Sequence, residues 1–207
     1  MGALGLALSY LAGAIPTALI VGRAVGGIDI RTAGSGNAGA TNVYRLFGLK
    51  PYLVTLGVDM FKGYAACAFI SPLGAGAASP ERAALLCGVA AIAGHIWTVF
   101  AGFKGGKGVA TAGGVVLAVA PEAALTAIAV YLVVTLTTKY VSLGSMSAAI
   151  SAPLALLVSG RTQPPELLII IAAVAALIIY THRANIRRLL AGQETKTDFL
   201  GRWVGRE

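Results

Sequence analysis

Long apolar stretches separated by short polar loops constrain this chain more than any other feature. A membrane-spanning helix needs ~20 consecutive apolar residues, and such stretches cover residues 1–22, 51–72, 82–101, 109–138, 141–160 and 166–181. Only 12% of the residues are charged, whereas a soluble domain carries about 25%. We therefore predict an all-α, polytopic integral membrane helix bundle. It forms one domain over residues 1–199, followed by an extension of unknown role over residues 200–207.

The stretch 109–138 is long enough for one tilted helix or for two short helices hinged at Pro121. The distribution of basic residues favours two helices. The chain then has seven spans, with thirteen lysines and arginines on one side and only Arg82 and Arg161 on the other. Because basic loops stay in the cytoplasm, we predict seven transmembrane helices with the N-terminus outside and the C-terminus cytoplasmic.

Charge and cysteine content narrow the classes of partner. The 16 basic and 8 acidic residues give a net charge of +8, which in a soluble protein would suggest nucleic acid. Here the basic residues lie in loops and in the tail, so we predict membrane lipids and anionic ligands as partners and no nucleic acid. Cys67 and Cys87 lie within apolar stretches and are expected to be buried. No pattern predicts a disulfide, a metal site or a cofactor.

Two of the apolar stretches carry features of their own. Pro16 is predicted to kink the first helix. Asp59 and Lys62 interrupt the second stretch at a spacing of three residues, which places them on one helix face. Charges inside a membrane are functional candidates, but a buried pair that fixes helix packing is at least as good an interpretation.

Three polar islands interrupt the apolar pattern on the predicted cytoplasmic side. The first island, residues 34–42, has three glycines among hydroxyl and amide side chains; the second, residues 100–108, has two lysines among four glycines. The third, residues 182–194, opens the basic tail. Alone, the first island also fits a turn between two helices, and the third also fits a basic helix end at the membrane surface. Together with Arg45 they predict a cationic site for a phosphorylated substrate, although not a Walker A loop, because Gly108 follows Lys107.

These islands match a known family in their order and in their sequence. The chain resembles the bacterial acyl-phosphate-dependent glycerol-3-phosphate acyltransferases, the PlsY family, over residues 1 to about 199. The resemblance rests on Ser35-Gly-Asn-Ala-Gly-Ala-Thr-Asn42 with Arg45, on Gly94-His95 leading to Phe103-Lys-Gly-Gly-Lys-Gly108, and on His182 with Asn185-Ile-Arg-Arg-Leu189 and Gly192. It implies a seven-helix bundle in the bacterial plasma (inner) membrane with its active site facing the cytoplasm.

The resemblance also implies a reaction and its partners. A fatty acyl group would pass from long-chain acyl phosphate to the 1-hydroxyl of glycerol 3-phosphate, giving lysophosphatidic acid and phosphate in phospholipid biosynthesis. An enzyme that forms the acyl phosphate is a candidate upstream partner. The acyltransferases that place an Asp five residues after a His do not fit, because Phe100 and Arg187 stand at those positions.

For this reaction we predict mainly positioning and electrostatic catalysis. The residues predicted to hold acyl phosphate are Gly36, Asn37, Ala38, Gly39, Ala40, Thr41, Asn42, Gly105, Gly106 and Lys107. Those predicted to hold glycerol 3-phosphate are Ser35, Arg45, Lys104, His182 and Asn185. Ser35 and Asn185 would orient its hydroxyl groups, and with His95 they are the candidate catalytic residues. The donor phosphate is the expected base; His95 is the rival base and fits equally well a packing residue that braces the second island.

Two classes besides an acyltransferase stay open. Basic loops at short helices also line the pathways of small organic-anion transporters, but the chain has no internal repeat and its cations gather on one face. The other class is a structural membrane subunit with a lipid-binding basic rim.

Overall fold

The computed structural model describes residues 2–74, 79–159 and 164–199, and every regular element among them is helical. Arg161 and the predicted extension over residues 200–207 lie outside the described residues. Short 3₁₀ helices form at Ile30–Thr32, Ser71–Gly74 and Val99–Ala101, and a π-helical segment at Ala66–Ile70 continues the helix that ends at Ala65. The α-helices of the described chain are α1 (Ala3–Ala14), α2 (Thr17–Gly26), α3 (Ala40–Phe47), α4 (Leu49–Ala65), α5 (Pro80–Ile96), α6 (Val109–Val119), α7 (Pro121–Thr138), α8 (Val141–Val158), α9 (Pro165–Thr181) and α10 (Arg183–Leu190).

Five segments of the described chain are long and apolar enough to cross a membrane: Ala3–Gly26, Leu49–Leu73, Pro80–Ala101, Pro121–Thr138 and Val141–Val158. The pair α9 and α10, bent by 58°, is a sixth candidate if it counts as one span. These segments confirm an all-helical integral membrane protein.

The stretch 109–138 forms two helices, α6 and α7, as the sequence predicts. α6 has 11 residues. At the rise of an α-helix this is about 16 Å, against about 30 Å for the hydrocarbon core of a bilayer. The count of seven spans therefore stays a prediction.

Pro16 lies between α1 and α2 and breaks the first span, which confirms the predicted kink. Proline has no N–H group and cannot continue the hydrogen bonding of a helix. The carbonyl of Ala14 accepts a hydrogen bond from the hydroxyl of Thr98. The carbonyl of Ile15 accepts one from the ammonium group of Lys62 at 2.8 Å. Side chains from elsewhere in the chain therefore satisfy the backbone groups at the break.

Two glycines allow α4 and α6 to cross at backbone contact. A Cβ atom at Gly63 would overlap the carbonyl group of Thr111, and one at Gly114 would overlap the carbonyl group of Met60. In lipid, helices associate through close van der Waals packing, which small residues permit. α1 and α5 approach each other in the same way.

The chain divides into two compact units, Met1–Pro121 and Glu122–Glu207. In the first unit α1 packs against α5, and α6 packs against α4 and α5. In the second unit α8 packs against α9, and the segment after α10 returns towards the start of α8. There the N–H group of Thr197 donates to the carbonyl of Lys139 at 2.8 Å. The predicted single domain over residues 1–199 stays a prediction.

Gly114→Ala is expected to lower the free energy of unfolding by about 1–3 kcal/mol, the usual cost of overpacking. Gly113→Ala is the matched control, because nothing lies within 4 Å of a Cβ atom at that position and alanine is the better helix former. Denaturant unfolding of each purified variant in detergent measures its free energy of unfolding. Equal stability of the two variants would contradict the backbone crossing of α4 and α6.

Candidate active site

The first island is a turn closed by the side chain of Asn42, which is 1% exposed. Its amide group donates to the carbonyl of Ile30 at 2.9 Å and to that of Ala33 at 3.1 Å. Its oxygen accepts the N–H of Ser35 at 2.9 Å. Both amide hydrogens are therefore used within the protein. The Asn42 side chain therefore closes the turn, and its contact with acyl phosphate stays a prediction.

Closing this turn leaves the N-terminus of α3 open. α3 begins at Ala40, and the residue before it, Gly39, makes no side-chain cap. In the described part of the chain, the N–H groups of Ala40 and Thr41 have no backbone partner. The first N–H groups of a helix carry a partial positive charge and form a ready anion site. These two N–H groups are therefore candidates for an anion site beside the first island, and the binding of an anion there stays a prediction.

The tip of the first island lies at the surface. Gly34 and Gly36 have φ angles of +60° and +70°, which glycine adopts without steric cost. Ser35 between them is exposed, and Arg45 on α3 is half-buried. A hydroxyl group and a guanidinium group thus belong to the same turn and helix as the open N–H groups.

An ion pair braces the segment before the first island. Arg31 contacts the Asp29 carboxylate through Nε at 3.0 Å and through Nη2 at 2.7 Å, and its Nη1 donates to the carbonyl of Ala101 at 2.9 Å. The side-chain hydrogen bonds from Arg31 to the Asp29 carboxylate lower the pKa of Asp29 to about 2. The charge of Arg31 is therefore neutralised locally, and its guanidinium group ties the segment before the first island to the start of the second island.

The glycines of the second island use their N–H groups to hold the loop against the end of α5. The N–H of Gly105 donates to the carbonyl of Ile96 at 3.0 Å, and the N–H of Gly106 donates to that of His95 at 3.1 Å. Both N–H groups are therefore bonded within the protein, and the contact of these two glycines with acyl phosphate stays a prediction. Lys104, just before them, is exposed, and Lys107, just after them, is half-buried.

The first and second islands meet at Gly106. A Cβ atom there would overlap Nε2 of His95 and would lie 2.9 Å from the carbonyl oxygen of Ala38. Only glycine permits this approach. The structure therefore brings together the two islands and His95 within the first unit, as the sequence predicts.

His95 is buried beside a charged pair that sequence reasoning did not connect with it. Its Nδ1 lies 3.8 Å from Oδ1 of Asp59, and the same oxygen lies 2.7 Å from Nζ of Lys62. A small cavity lined by Asp59, His95, Gly105 and Gly106, among others, has room for about one water molecule. The sequence shows the pairing of Asp59 with Lys62 through their spacing, but carries no signal for the approach to His95.

The third island belongs to the second unit and bends at His182. α9 ends at Thr181, α10 begins at Arg183, and the two helices are inclined by 58°. The helix is therefore interrupted at His182. Nδ1 of His182 lies 2.8 Å from the carbonyl of Ile178; since a carbonyl only accepts, Nδ1 carries a proton.

Glu194 is the residue of the second unit that sequence reasoning missed. It is 8% exposed, and its carboxylate accepts from Ser142 Oγ at 2.7 Å, Asn185 Nδ2 at 2.6 Å and Arg188 Nε at 2.7 Å. Burial raises the pKa of this carboxyl group, but the three hydrogen bonds outweigh burial and leave the pKa below its ordinary value. Asn185, a predicted substrate ligand, is thus held by a carboxylate, and no sequence periodicity indicates that contact.

Comparison with known proteins gives one consistent result. A family model described as glycerol-3-phosphate acyltransferase matches residues 3–192. The glycerol-3-phosphate acyltransferase of Trichlorobacter lovleyi is 46% identical, with 94% of this chain and 97% of the relative covered. That of Geobacter sulfurreducens is also 46% identical, with 92% of this chain and 94% of the relative covered.

Two solved structures are similar over nearly the whole fold. Both are crystal structures of PlsY (YgiH), an integral membrane glycerol 3-phosphate acyltransferase, and both are 42% identical in sequence to this chain. The glycerol 3-phosphate form has a TM-score of 0.86 and covers 96% of each chain. The lysophosphatidic acid form has a TM-score of 0.83 and covers 95% of each chain.

The hydrogen bonds around Glu194 define a pH window for stability. Because the folded-state pKa is lowered, the carboxylate stabilises the fold above its ordinary pKa of 4.5, and this contribution is lost as the pH falls through the lower folded-state pKa. Glu194→Gln is expected to lower the free energy of unfolding at neutral pH by about 1.5–3 kcal/mol and to remove this pH dependence.

Unfolding in detergent from neutral pH down to about pH 3 measures the effect of Glu194→Gln. Asp198→Asn is the matched control, because Asp198 forms an exposed ion pair with Lys139. The assignment would be overturned if the wild-type protein and Glu194→Gln lost stability equally as the pH falls.

Proposed function

This chain belongs to the glycerol-3-phosphate acyltransferase family of integral membrane proteins, and we propose that its acyl donor is a long-chain acyl phosphate. The acyl group passes to the 1-hydroxyl of glycerol 3-phosphate, and the products are lysophosphatidic acid and phosphate. An enzyme that forms acyl phosphate is the upstream partner that this donor requires.

The observation that carries the proposal is the open N-terminus of α3 among basic side chains. A phosphate group placed there would accept hydrogen bonds from the N–H groups of Ala40 and Thr41. Lys107 belongs to the second island, which meets the first at Gly106, and adds positive charge. A donor that carries both a phosphate and an apolar chain suits this arrangement, because the acyl chain can lie among apolar helices that open to the bilayer.

Most of the predicted donor site lies in the first island. Its backbone from Gly36 to Ala40, with the side chains of Asn37 and Thr41, would surround the phosphate. The exposed tip of this island supports the proposal, since a substrate can reach it without opening the fold.

Glycerol 3-phosphate is the proposed ligand of Ser35, Arg45 and Lys104. Two cations on the first unit suit its doubly charged phosphate, because arginine offers a fork of donors and lysine a mobile point charge. Ser35 would orient a hydroxyl group of the glycerol. The contacts of His182 and Asn185 with the same substrate stay predictions.

The chemistry needs positioning more than a nucleophile from the protein. The 1-hydroxyl oxygen attacks the acyl carbonyl carbon, the bond from that carbon to the phosphate oxygen breaks, and the hydroxyl proton passes to the departing phosphate. Acyl phosphate is a mixed anhydride with a good leaving group, so no covalent enzyme intermediate is required. His95 is 8% exposed and its ring lies against Gly106, which favours the donor phosphate over His95 as the base.

The proposal includes a membrane orientation. We place the protein in the bacterial plasma (inner) membrane as one domain over residues 1–199 with seven spans, the N-terminus outside, and the C-terminus and the active site on the cytoplasmic side. The excess of basic residues in the predicted cytoplasmic loops supports this orientation. Labelling single cysteines introduced at Ser35 and Glu81 with a membrane-impermeant reagent tests it, because these positions lie on opposite sides in the proposed topology.

A donor assay tests the function. Purified protein is incubated with glycerol 3-phosphate and, separately, with acyl phosphate, acyl-CoA and acyl carrier protein loaded with the same fatty acid. Of the three donors, only acyl phosphate is expected to give lysophosphatidic acid. Product from either of the other donors without acyl phosphate would overturn the donor assignment. Flux of an organic anion into vesicles with no product from any donor would favour the transporter.

Arg45→Ala is expected to reduce kcat/KM by roughly 10- to 100-fold, because a hydrogen bond to a charged group contributes about 1.5–3 kcal/mol. Arg45→Lys keeps the charge but lacks the forked donors, so its kcat/KM should lie between those of Arg45→Ala and the wild-type protein. Arg23→Ala is the control, because Arg23 is exposed and lies in the last turn of α2. A kcat/KM of Arg45→Ala within twofold of the control would refute the assigned role.

If the donor phosphate is the base, His95→Gln should keep the shape of the pH profile of kcat/KM near neutrality, whatever its absolute rate. If His95 is the base, the neutral imidazole is needed and the variant loses that pH dependence. Initial rates over pH, with thermal unfolding to confirm the fold, distinguish these outcomes.

A further inference from the structure

We propose that Asp59 and Lys62 are positioning residues of the reaction, holding the His95 ring and through it the second island. This rests on the proposed function only in that the second island must bind a phosphorylated substrate. In the described part of the chain, neither Asp59 nor Lys62 contacts Lys104, the exposed lysine of that island. The effect of the pair on the substrate would therefore be indirect.

The first argument is the burial of two opposite charges inside a membrane span. Asp59 is 2% and Lys62 5% exposed, and both belong to the candidate span Leu49–Leu73. Taking two charges out of water is costly, and an apolar pair of similar size often stabilises a fold as well or better. Stability alone is therefore a weak reason for this pair, and a positional task is the better one.

The second argument is that each charged group points to a different part of the same centre. Lys62 Nζ contacts Asp59 at 2.7 Å and donates to the carbonyl of Ile15 at 2.8 Å, beside Pro16. Asp59 Oδ1 faces Nδ1 of His95 at 3.8 Å. The lysine thus fixes the carboxylate to the break in the first span, and the carboxylate presents its negative charge to one edge of the imidazole ring.

The third argument is the contact of His95 with the second island at both its ring and its backbone. The His95 carbonyl accepts the N–H of Gly106 at 3.1 Å, and a Cβ atom at Gly106 would overlap Nε2. A negative charge beside Nδ1 favours the tautomer with the proton on Nδ1. Nε2 then turns an unprotonated nitrogen towards the loop, so the charge of Asp59 selects which edge of the ring supports Gly106.

These contacts form a connected series from the break at Pro16 to the loop that carries Lys104. If the charges are removed, the ring loses its preference for one tautomer, and the glycines resting on it shift. Small displacements of a binding group are costly in a site that works by positioning. The expected signature is weaker substrate binding at unchanged global stability.

The test is the double variant Asp59→Asn/Lys62→Met, which removes both charges together and leaves no unpaired ion. The KM for glycerol 3-phosphate is expected to rise about tenfold, with kcat within about threefold of wild type. Asp198→Asn/Lys139→Met removes an exposed ion pair and is the control. The proposal would be overturned if the double variant were as thermally stable as the wild-type protein and had the same KM for glycerol 3-phosphate.

Histidine nitrogen NMR gives an independent readout that a purely structural role would not move. The chain has only two histidines, so His95→Gln identifies the signals of each. The wild-type protein should show His95 with its proton on Nδ1, and the double variant should show a mixture or the Nε2 form. An unchanged tautomer would also overturn the proposal. If this variant does not fold, Asp59→Leu/Lys62→Leu allows both measurements in an apolar setting.

The assays use whichever acyl donor the wild-type protein accepts. A wild-type protein that rejects acyl phosphate would refute the proposed donor but would leave the comparison of variant with wild type intact. The experiments can therefore refute the positioning role of Asp59 and Lys62 without refuting the proposed donor, and the reverse.

Discussion

A backbone inside lipid has no water to bond with, so the protein itself must satisfy every break in a membrane helix. The break at Pro16 meets this requirement with Lys62 from α4 and Thr98 from the segment after α5. One proline in the first span therefore explains two buried polar side chains far along the sequence. It also fixes where the second island begins, because that island starts two residues after Thr98.

Glycine has two separate tasks in this fold, and they look alike in sequence. At Gly63 and Gly114 it lets two helices touch backbone to backbone. At Gly105 and Gly106 it lets a loop rest on the end of α5 and on His95, with its N–H groups already bonded. The open N–H groups lie instead at the start of α3, beyond Gly39. A glycine-rich pattern thus marks close approach, but it does not say whether a ligand or another part of the chain approaches.

The features predictable from sequence were those that one segment determines by itself. Apolar length indicated the spans, Pro16 and Pro121 indicated the breaks, and a spacing of three residues paired Asp59 with Lys62. The order of the three islands was sufficient to indicate the family. The approach of Asp59 to His95 and the hydrogen bonds to Glu194 were not predictable, because periodicity describes the faces of one helix and not which helices meet. The bend at His182 was missed because no proline or glycine marks it.

The closed turn around Asn42 has a consequence for the thermodynamics of binding. Its three hydrogen bonds order the loop during folding, so the loop does not lose conformational entropy when an anion arrives. What the anion must give up is its own hydration shell. We therefore expect affinity at this turn to respond more to the identity and hydration of the anion than to changes that merely stiffen the loop.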